Sequence, residues 1–274
     1  MTVLQEKFTL EDGISIPAIG FGTWQIPNDQ AEEATAVALK NGYTHIDTAA
    51  AYGNEEGVGK AVRGSGTARE ELFITTKSPA ECKTYEGARD HIEQSLATLD
   101  IGYIDLLLIH APKPWSEMFT DSEEAYFSEN IAVWKAMEEA HAAGLVKTLG
   151  VSNFDVEDLE NILNNGTIAP TVNQIRYHVG YTQDEIVRFC KDNDILVEGY
   201  SPIATGRLLD DETLKVIADR YDKTVAQLCI RYVLQNGLLP LPKSTHEEYI
   251  IQNAAIDFEI STDDMALLDQ IHTA

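Results

Sequence analysis

The sequence predicts an α/β fold, a (β/α)8 TIM barrel with an N-terminal β-hairpin and extra helices near the C-terminus. Three observations lead to this prediction. Short apolar segments alternate with amphipathic segments eight times along the 274 residues. No linker, low-complexity run or change of composition divides the chain, and barrels of this kind commonly take about 250 residues. Titratable residues end several predicted strands, where barrel enzymes carry their active sites. We therefore expect one domain over residues 1–274.

The chain opens with a predicted β-hairpin, because residues 1–16 alternate apolar and polar side chains around an Asp12-Gly13 turn. The first barrel strand follows as IPAIGFGTW (16–24) and ends near Thr23. Seven further apolar segments have the length and composition of buried parallel strands. They are THID (44–47), ELFITTK (71–77), YIDLLLIH (103–110), KTLGVS (147–152), PTVNQI (170–175), ILVEGY (195–200) and LLPLP (238–242).

Helical spacing of apolar residues follows each barrel strand. The first helix covers residues 29–41, and the second begins near Asn54, with Gly53 and Asn54 supplying the turn and the cap. The remaining predicted helices cover residues 85–99, 129–143, 155–163, 183–192, 212–221 and 225–235, with a short helix after Ser244 and a last helix capped by Ser261. A polar and aromatic loop of about 17 residues, 111–127, precedes the fourth helix, and loops of that length are usually functional.

A doubly wound open sheet is the alternative arrangement of alternating strands and helices. Such sheets commonly carry the dinucleotide fingerprint GxGxxG directly after the first strand. Here Gly20-Phe21-Gly22-Thr23 is followed by no third glycine and no immediate helix. The barrel is therefore the favoured prediction.

The formal net charge of −25 disfavours nucleic acid and acidic membrane surfaces as partners, because both would be repelled. The three cysteines, Cys82, Cys190 and Cys229, are too few and too widely spaced for a disulfide framework or a zinc site. We therefore expect free thiols and no metal. The N-terminus has no apolar signal segment and no run reaches transmembrane length, so we expect a cytoplasmic protein.

Four titratable side chains stand at or just after the ends of predicted strands: Asp47, Tyr52, Lys77 and His110. Tyr52 is the candidate general acid, although the pKa of free tyrosine, about 10, is too high for efficient proton donation at neutral pH. A nearby ammonium lowers that pKa, and Lys77 could supply it while Asp47 holds Lys77 charged and oriented. His110 could hydrogen-bond the reacting carbonyl oxygen. Each residue alone has an ordinary structural explanation, but together they indicate an active site.

The sequence resembles the aldo-keto reductases over essentially its whole length. The matching stretches are GFGTW (20–24), HIDTAAAYGNEEGVGKAV (45–62), FITTK (73–77), YIDLLLIH (103–110), GLVKTLGVSNF (144–154), NQI (173–175), GYSPI (199–203) and LPKS (241–244). The resemblance implies a (β/α)8 barrel, NAD(P)H-dependent carbonyl reduction and a catalytic tetrad of Asp47, Tyr52, Lys77 and His110. Tyr52 would donate the proton, Lys77 paired with Asp47 would adjust the pKa of Tyr52, and His110 would orient the substrate.

The resemblance also implies a cofactor site across the barrel top that uses no glycine-rich loop. Ser152, Asn153 and Gln174 would hydrogen-bond the nicotinamide amide, and Tyr200 would stack on the nicotinamide ring. The other implied cofactor contacts are Gly22 and Thr23, Ser201 and Ile203 near the pyrophosphate, Lys243 and Ser244 at the adenosine end, and Gln252 and Asn253 near the adenine. A lysine after the eighth strand at a helix start is also a phosphate site by the general design of barrels.

One departure from the family pattern concerns the cofactor. The family usually carries an arginine five residues after the serine of the LPKS-type motif, where it would pair with the 2′-phosphate of NADPH. This sequence has Tyr249 there, and Glu247 and Glu248 add negative charge nearby. Because Lys243 keeps one positive charge, we expect NADPH as the main cofactor, with NADH also able to serve.

Two further departures concern the substrate. Many members have tryptophans where this sequence has Pro79 and Ala111, so we expect a wider or more polar pocket, in which Trp24 remains and Trp115 fills part of the space. The chain ends at Ala274 without the long C-terminal loop that shapes specificity in many eukaryotic members. It looks most like the prokaryotic group of 2,5-diketo-gluconate reductases and small-dicarbonyl reductases. The expected substrate contacts are Trp24, Tyr52, His110 and Trp115.

We therefore expect a monomeric reductase of aldehydes and ketones, with small dicarbonyls, sugar-derived ketones and aromatic aldehydes as substrates. Two alternatives remain open. The first is a reductase-like protein that binds the nicotinamide cofactor as a sensor and has little turnover. The second is a non-redox barrel enzyme such as an isomerase.

Overall fold

The computed structural model describes residues 2–118, 120 and 124–271, and within them the chain forms a barrel of strands surrounded by helices. The strands are β1 (Lys7–Thr9), β2 (Ser15–Pro17), β3 (Phe21–Gly22), β4 (His45–Asp47), β5 (Phe73–Ser78), β6 (Ile104–Ile109), β7 (Val146–Ser152), β8 (Val172–Arg176), β9 (Leu196–Tyr200) and β10 (Leu239–Leu241). The α-helices are α1 (Asn28–Lys40), α2 (Glu55–Gly64), α3 (Tyr85–Leu99), α4 (Phe127–Ala142), α5 (Val156–Asn165), α6 (Asp184–Asp192), α7 (Glu212–Asp219), α8 (Val225–Gln235), α9 (Glu247–Ala254) and α10 (Thr262–Asp269).

The barrel consists of β3 to β10, which pair in parallel and in sequence order. Two backbone hydrogen bonds close it: the Gly20 amide donates to Pro240 O at 3.1 Å, and the Gly22 amide donates to Pro242 O at 3.0 Å. Two helices, α7 and α8, separate the last two strands, and α10 follows α9. The predicted (β/α)8 fold with extra helices near the C-terminus is therefore confirmed, and the open sheet is excluded.

The N-terminal hairpin, β1 and β2, covers the amino end of the barrel. Leu10 and Ile16 are buried in one cluster with apolar side chains that point into the barrel interior, among them Leu106 of β6. The hydroxyl of Thr148 on β7 donates to the carboxylate of Asp12 in the hairpin turn. Apolar side chains therefore seal this end, and the carboxyl ends of the strands form the accessible end.

Side chains along a barrel strand point alternately into and out of the barrel, so residues two apart point to the same side. Apolar side chains fill the amino end of the interior, and polar side chains follow toward the carboxyl end. The buried inward polar residues include His45, Asp47, Thr75, Lys77, Gln174 and Glu198. Gly20 packs tightly against this layer, because a β-carbon there would lie 2.5 Å from Leu241 and 2.7 Å from His45 Nδ1. The barrel thus encloses charged groups, which need partners to be stable.

One predicted helix cap is confirmed and another is wrong. The Ser261 hydroxyl caps α10 by accepting a backbone amide of the first turn. Asn54 precedes α2, but its side chain makes no capping hydrogen bond. Its amide nitrogen instead donates to Thr23 O and Ile26 O, both at 2.9 Å, and its oxygen accepts from the Thr48 hydroxyl at 2.7 Å. Asn54 therefore ties the turns after β3 and β4 together.

Several predicted boundaries differ from the structure by a few residues, and hydrogen bonds explain two of these differences. The first barrel strand, predicted over residues 16–24, is confined to β3, because Ser15–Pro17 pair with β1 instead. Helix α4 begins two residues before the predicted position, because Tyr126 O already accepts the amide of Asn130 at 2.8 Å. Both changes leave the predicted order of elements intact.

Candidate active site

A buried ion pair lies at the carboxyl ends of β4 and β5. Lys77 Nζ donates to both carboxylate oxygens of Asp47, at 2.8 and 2.7 Å, and to Thr48 O at 2.8 Å. Burial opposes the charge of Lys77, but the carboxylate of Asp47 outweighs burial and raises the pKa of Lys77 above its ordinary value. Lys77 therefore carries a positive charge at neutral pH.

Tyr52 ends a short 3₁₀ turn, Ala50–Tyr52, that follows β4. Its hydroxyl oxygen lies 3.4 Å from Lys77 Nζ. Burial raises the pKa of the Tyr52 phenol above its ordinary value; Lys77 acts to lower it and Asp47 to raise it. The prediction that Lys77 lowers the pKa of Tyr52 below its ordinary value is wrong for the protein without ligands, because burial outweighs the effect of the lysine. Tyr52 is therefore a neutral phenol with a proton to donate, and Lys77 is placed to stabilise its anion.

His110 follows β6 and lies between Tyr52 and Trp115. The ring centroids are 5.4 Å from Tyr52 and 5.2 Å from Trp115, both in edge-to-face contact. Burial and then Lys77 hold the pKa of His110 well below its ordinary value, so the ring is neutral at pH 7. Among the described residues, its buried Nδ1 has no hydrogen-bond partner. The hydrogen is thus better placed on Nε2, where it can be donated to a ligand.

Asn153 and Tyr200 extend the cluster beside His110. The Asn153 amide nitrogen donates to His110 O at 3.0 Å, and its oxygen accepts from the Tyr200 hydroxyl at 2.8 Å. Asn153 adopts a positive φ of 61°, which turns the chain sharply after β7. Burial raises the pKa of Tyr200 to about 12, so its hydroxyl remains a hydrogen-bond donor. Asn153 therefore adjoins the predicted catalytic histidine, and Tyr200 adjoins Asn153.

Ser152 and Gln174 form the other side of the same cluster. The Ser152 hydroxyl donates to Gln174 O at 2.8 Å and accepts from the Asn153 amide nitrogen at 3.0 Å. Gln174 Nε2 donates to Asp47 Oδ2 at 2.8 Å and to Glu198 Oε2 at 2.8 Å. Hydrogen bonds thus connect these predicted cofactor residues to the predicted tetrad.

Four further predicted cofactor residues lie where β3 meets β10. The Thr23 hydroxyl donates to the last backbone oxygen of β4 at 2.9 Å. A β-carbon at Gly22 would lie 3.8 Å from Lys243 Cβ, so the exposed lysine leaves the barrel beside this glycine. Ser244 Oγ accepts the amide of His246 at 3.0 Å and shapes the turn that leads into α9.

The remaining four predicted cofactor residues lie after β9 and on α9. Ser201 has a positive φ of 53°, and half-buried Ile203 packs on the core at the start of the loop. Gln252 donates to Glu248 at 3.1 Å on the exposed side of α9, whereas Asn253 is buried. Their assignment to the pyrophosphate and the adenine stays a prediction.

Two tryptophans flank the accessible end of the barrel. Trp24 follows β3 and is 46% exposed, while Trp115 is half-buried against His110. Lys83 holds the start of the 111–127 loop, because its Nζ donates to Ala111 O at 2.9 Å. Residues 119 and 121–123 of that loop lie outside the described residues. The positions of both tryptophans suit the predicted substrate contacts, whose roles stay predictions.

Sequence reasoning missed two buried polar residues in the barrel interior, Glu198 and His45. Glu198 Oε2 accepts from Gln174 Nε2, and His45 Nε2 lies 3.0 Å from the hydroxyl of Thr75 on β5. Each stands two residues before a predicted site residue on the same strand. A period of two therefore places both on the inward face, and that signal could have found them.

Acid is expected to destabilise the fold through His45. Burial, and then Lys77, lowers the pKa of His45 from 6.5 to about 3. The unfolded chain therefore binds the proton more tightly, and stability present above pH 6.5 is lost as the pH falls toward 3. By pH 4.5 this group alone costs about 3 kcal/mol. Urea unfolding at pH 7 and 4.5 measures the difference, which should shrink in His45→Gln; an unchanged pH dependence in that variant would contradict the prediction.

No group of three or more His, Cys, Asp or Glu side chains in the described part of the chain is arranged to hold a metal ion. Cys82, Cys190 and Cys229 are buried and unpaired, which confirms the predicted free thiols. Over residues 2–118, 120 and 124–271, no helix has both the length and the apolar character needed to cross a bilayer.

Known proteins share both the sequence and the fold of this chain. The model of the aldo/keto reductase family matches residues 18–273. Glyoxal reductase from Bacillus subtilis (strain 168) is 41% identical over 273 residues, which are 99% of this chain and 94% of that protein. The crystal structure of an aldo/keto reductase from Brucella melitensis superposes with a TM-score of 0.90 at 39% identity and covers 98% of each chain.

A third similar structure contains a cofactor. The crystal structure of a Bombyx mori aldo-keto reductase in complex with NADP superposes with a TM-score of 0.86 at 33% identity, covering 97% of this chain and 92% of that chain. Sequence and fold agree across these comparisons. The chain therefore belongs to the aldo/keto reductase family and is an oxidoreductase that acts on carbonyl groups.

Proposed function

We propose that this protein reduces small dicarbonyls, sugar-derived ketones and aromatic aldehydes to alcohols with NAD(P)H, and that Tyr52 donates the proton. The observation that carries this proposal is the position of Lys77 Nζ, which both Asp47 oxygens hold 3.4 Å from the Tyr52 hydroxyl. A fixed positive charge at that place stabilises a phenolate as it forms. The 41% identity to a glyoxal reductase supports the small-dicarbonyl class.

Each residue of the tetrad has a defined part in this reaction. When bound, the reduced nicotinamide supplies the hydride that adds to the carbonyl carbon. As negative charge develops on the carbonyl oxygen, the O–H bond of Tyr52 breaks and its proton passes to that oxygen. Lys77 stabilises the phenolate that remains, and Asp47 keeps Lys77 in place. His110 Nε2–H donates a hydrogen bond to the same carbonyl oxygen and so orients the substrate.

The proposed nicotinamide site suits a carboxamide, which both donates and accepts hydrogen bonds. Both hydrogens of Gln174 Nε2 are used by Asp47 and Glu198, so its Oε1 is left to accept from the carboxamide nitrogen. Ser152 and Asn153 add a hydroxyl and a second amide next to it. These donors and acceptors fit the nicotinamide head group, and the adjacent Tyr200 ring offers it a stacking surface.

Fluorescence titration with NADPH and NADH, followed by turnover of methylglyoxal, 2,5-diketo-gluconate, a nitrobenzaldehyde and xylose, tests the proposal. We expect cofactor binding and steady reduction of at least the dicarbonyls. Binding without turnover of any carbonyl would replace the proposal by the sensor alternative. Failure to bind either cofactor would contradict the cofactor site itself.

Restoring an arginine at position 249 is expected to strengthen NADPH binding. Tyr249 is 52% exposed and stacks edge-to-face on His246, and Lys243 is the positive charge nearest to it in the motif. A charge-assisted pair with the 2′-phosphate should lower the Kd for NADPH about tenfold in Tyr249→Arg, because such a pair contributes roughly 1.5 kcal/mol. The Kd for NADH should not change.

Tyr249→Gln is the matched control, since it removes the ring without adding charge. It should leave the ratio of the two dissociation constants near that of the natural protein. If Tyr249→Arg lowers the Kd values of NADPH and NADH equally, the arginine does not act through the 2′-phosphate.

A further inference from the structure

Glu198 is a carboxyl group enclosed in the barrel interior. It lies on the inward face of β9, and its side chain is fully buried. Oε2 accepts from Gln174 Nε2 at 2.8 Å. Among the described residues, Oε1 has no hydrogen-bond partner, and the nearest basic nitrogen, His45 Nε2, is 3.9 Å away. The reaction described above does not use this carboxyl, so its presence requires another explanation.

Gln174 connects Glu198 directly to the proposed catalytic groups. Its Nε2 carries two hydrogens, of which one goes to Glu198 Oε2 and the other to Asp47 Oδ2. Asp47 in turn holds Lys77, which lies beside Tyr52. A change of charge at Glu198 therefore reaches Tyr52 through a chain of three hydrogen-bonded side chains.

The charges that face Glu198 favour its neutral form. From β4 it is faced by Asp47, which is negative, and by His45, which burial keeps neutral. From β5 it is faced by Lys77, whose nitrogen already binds both oxygens of Asp47. An ionised carboxylate with one unpartnered oxygen is costly in such a place. Burial, followed by Asp47, accordingly raises the pKa of Glu198 to about 8.

We propose that Glu198 is a positioning residue that keeps a proton while the enzyme works, and that loss of this proton slows proton donation by Tyr52. This inference rests on the proposed function of Tyr52. When Tyr52 gives up its proton, Lys77 has to balance the charges of both Asp47 and the phenolate. A neutral Glu198 adds nothing to that sum, whereas an ionised Glu198 adds a third anion to the same buried region and disfavours the phenolate.

The test is the pH profile of kcat/KM for methylglyoxal reduction. In the natural protein, kcat/KM should fall about tenfold between pH 7 and pH 9, because one group with a pKa of about 8 ionises over that range. Glu198→Gln, which matches the protonated acid in shape and charge, should stay within about twofold of the natural protein at pH 7. Between pH 7 and pH 9, the kcat/KM of this variant should fall by less than about twofold. The pKa of Tyr52, raised by burial above its ordinary value, leaves that tyrosine protonated over this range.

Glu55→Gln is the matched control. Glu55 of α2 is also buried with a raised pKa, but it accepts from the Thr76 hydroxyl at 2.6 Å, outside the barrel interior. This variant should keep the alkaline loss of activity. An alkaline loss in Glu198→Gln equal to that of the natural protein would overturn the inference.

A spectroscopic measurement on the natural protein decides the question even if Glu198→Gln fails to fold. With 13Cδ-labelled glutamate, a carboxyl resonance other than that of Glu55 should report a protonated group at pH 7 and should titrate before pH 9. Its absence would overturn the inference. The proposed function fails separately if Tyr52→Phe keeps full turnover. If Tyr52→Phe is inactive but Glu198→Gln keeps the alkaline loss of the natural protein, only this inference fails.

Discussion

Tyr52→Phe is expected to lower kcat for carbonyl reduction by about three orders of magnitude, the size of effect that a positioned general acid supplies. The substitution removes one oxygen, the atom that lies 3.4 Å from Lys77 Nζ. The ring itself should keep its edge-to-face contact with His110. Cofactor affinity should therefore stay nearly constant, which separates chemistry from binding. Steady-state kinetics with methylglyoxal and fluorescence titration with NADPH measure the two quantities.

Tyr43→Phe is the matched control for this experiment. Tyr43 is also buried, and its hydroxyl donates to Ile250 O at 3.0 Å, away from the proposed site. Losing that hydrogen bond should cost about 1 kcal/mol of stability and leave kcat nearly unchanged. Full turnover in Tyr52→Phe would mean that another group donates the proton.

Lys77→Met is expected to reduce kcat at least a hundredfold and to destabilise the fold by about 3–5 kcal/mol, the cost of removing one partner from a buried ion pair. Methionine fills a similar volume but offers no charge to the Tyr52 phenolate. It also leaves Asp47, which Lys77 now binds through both oxygens, without a cation in the barrel interior. Kinetics and urea unfolding at pH 7 measure the two effects.

The double variant Asp47→Asn/Lys77→Met separates these two effects. Removing the unpaired carboxylate should restore much of the lost stability, because no buried charge then remains without a partner. Turnover should stay low, since the positive charge beside Tyr52 is still missing. Recovery of kcat together with stability would show that Lys77 supports the fold alone and has no part in proton donation.

The proximity of the four residues of the predicted tetrad could be expected from the sequence, because barrel geometry brings the ends of its strands together. Parallel strands bring their carboxyl ends to one end of a barrel, so residues that end separate strands, such as Asp47 and Lys77, meet there. Tyr52 follows its strand by five residues, so strand geometry alone does not place it; its phenol made it the candidate general acid, and the family resemblance implied the same role. The structure then supplied the short 3₁₀ turn that returns its hydroxyl to Lys77.

The environment of Glu198 and the hydrogen-bond partners of Asn54 show what the sequence could not predict. The partners of Glu198 lie on two other strands, so its environment depends on barrel closure and on which side chains face it across the interior. Asn54 has the residue type and position of a helix cap, but its side chain instead forms hydrogen bonds with two earlier turns of the chain. In both cases contacts between distant parts of the chain determine the partners of the side chain, and for Asn54 they override a sound local expectation.

The N-terminal hairpin has a consequence for the chemistry at the opposite end of the barrel. By packing Leu10 and Ile16 against the inward apolar side chains, it keeps water from reaching the polar layer from below. The effective dielectric constant around Lys77 and Glu198 is therefore low, and charges a few ångströms apart interact several times more strongly there than in water. The electrostatic strength of the site thus depends on a segment that touches neither cofactor nor substrate. Any opening of the hairpin would hydrate the interior and return the pKa of Glu198 toward its ordinary value.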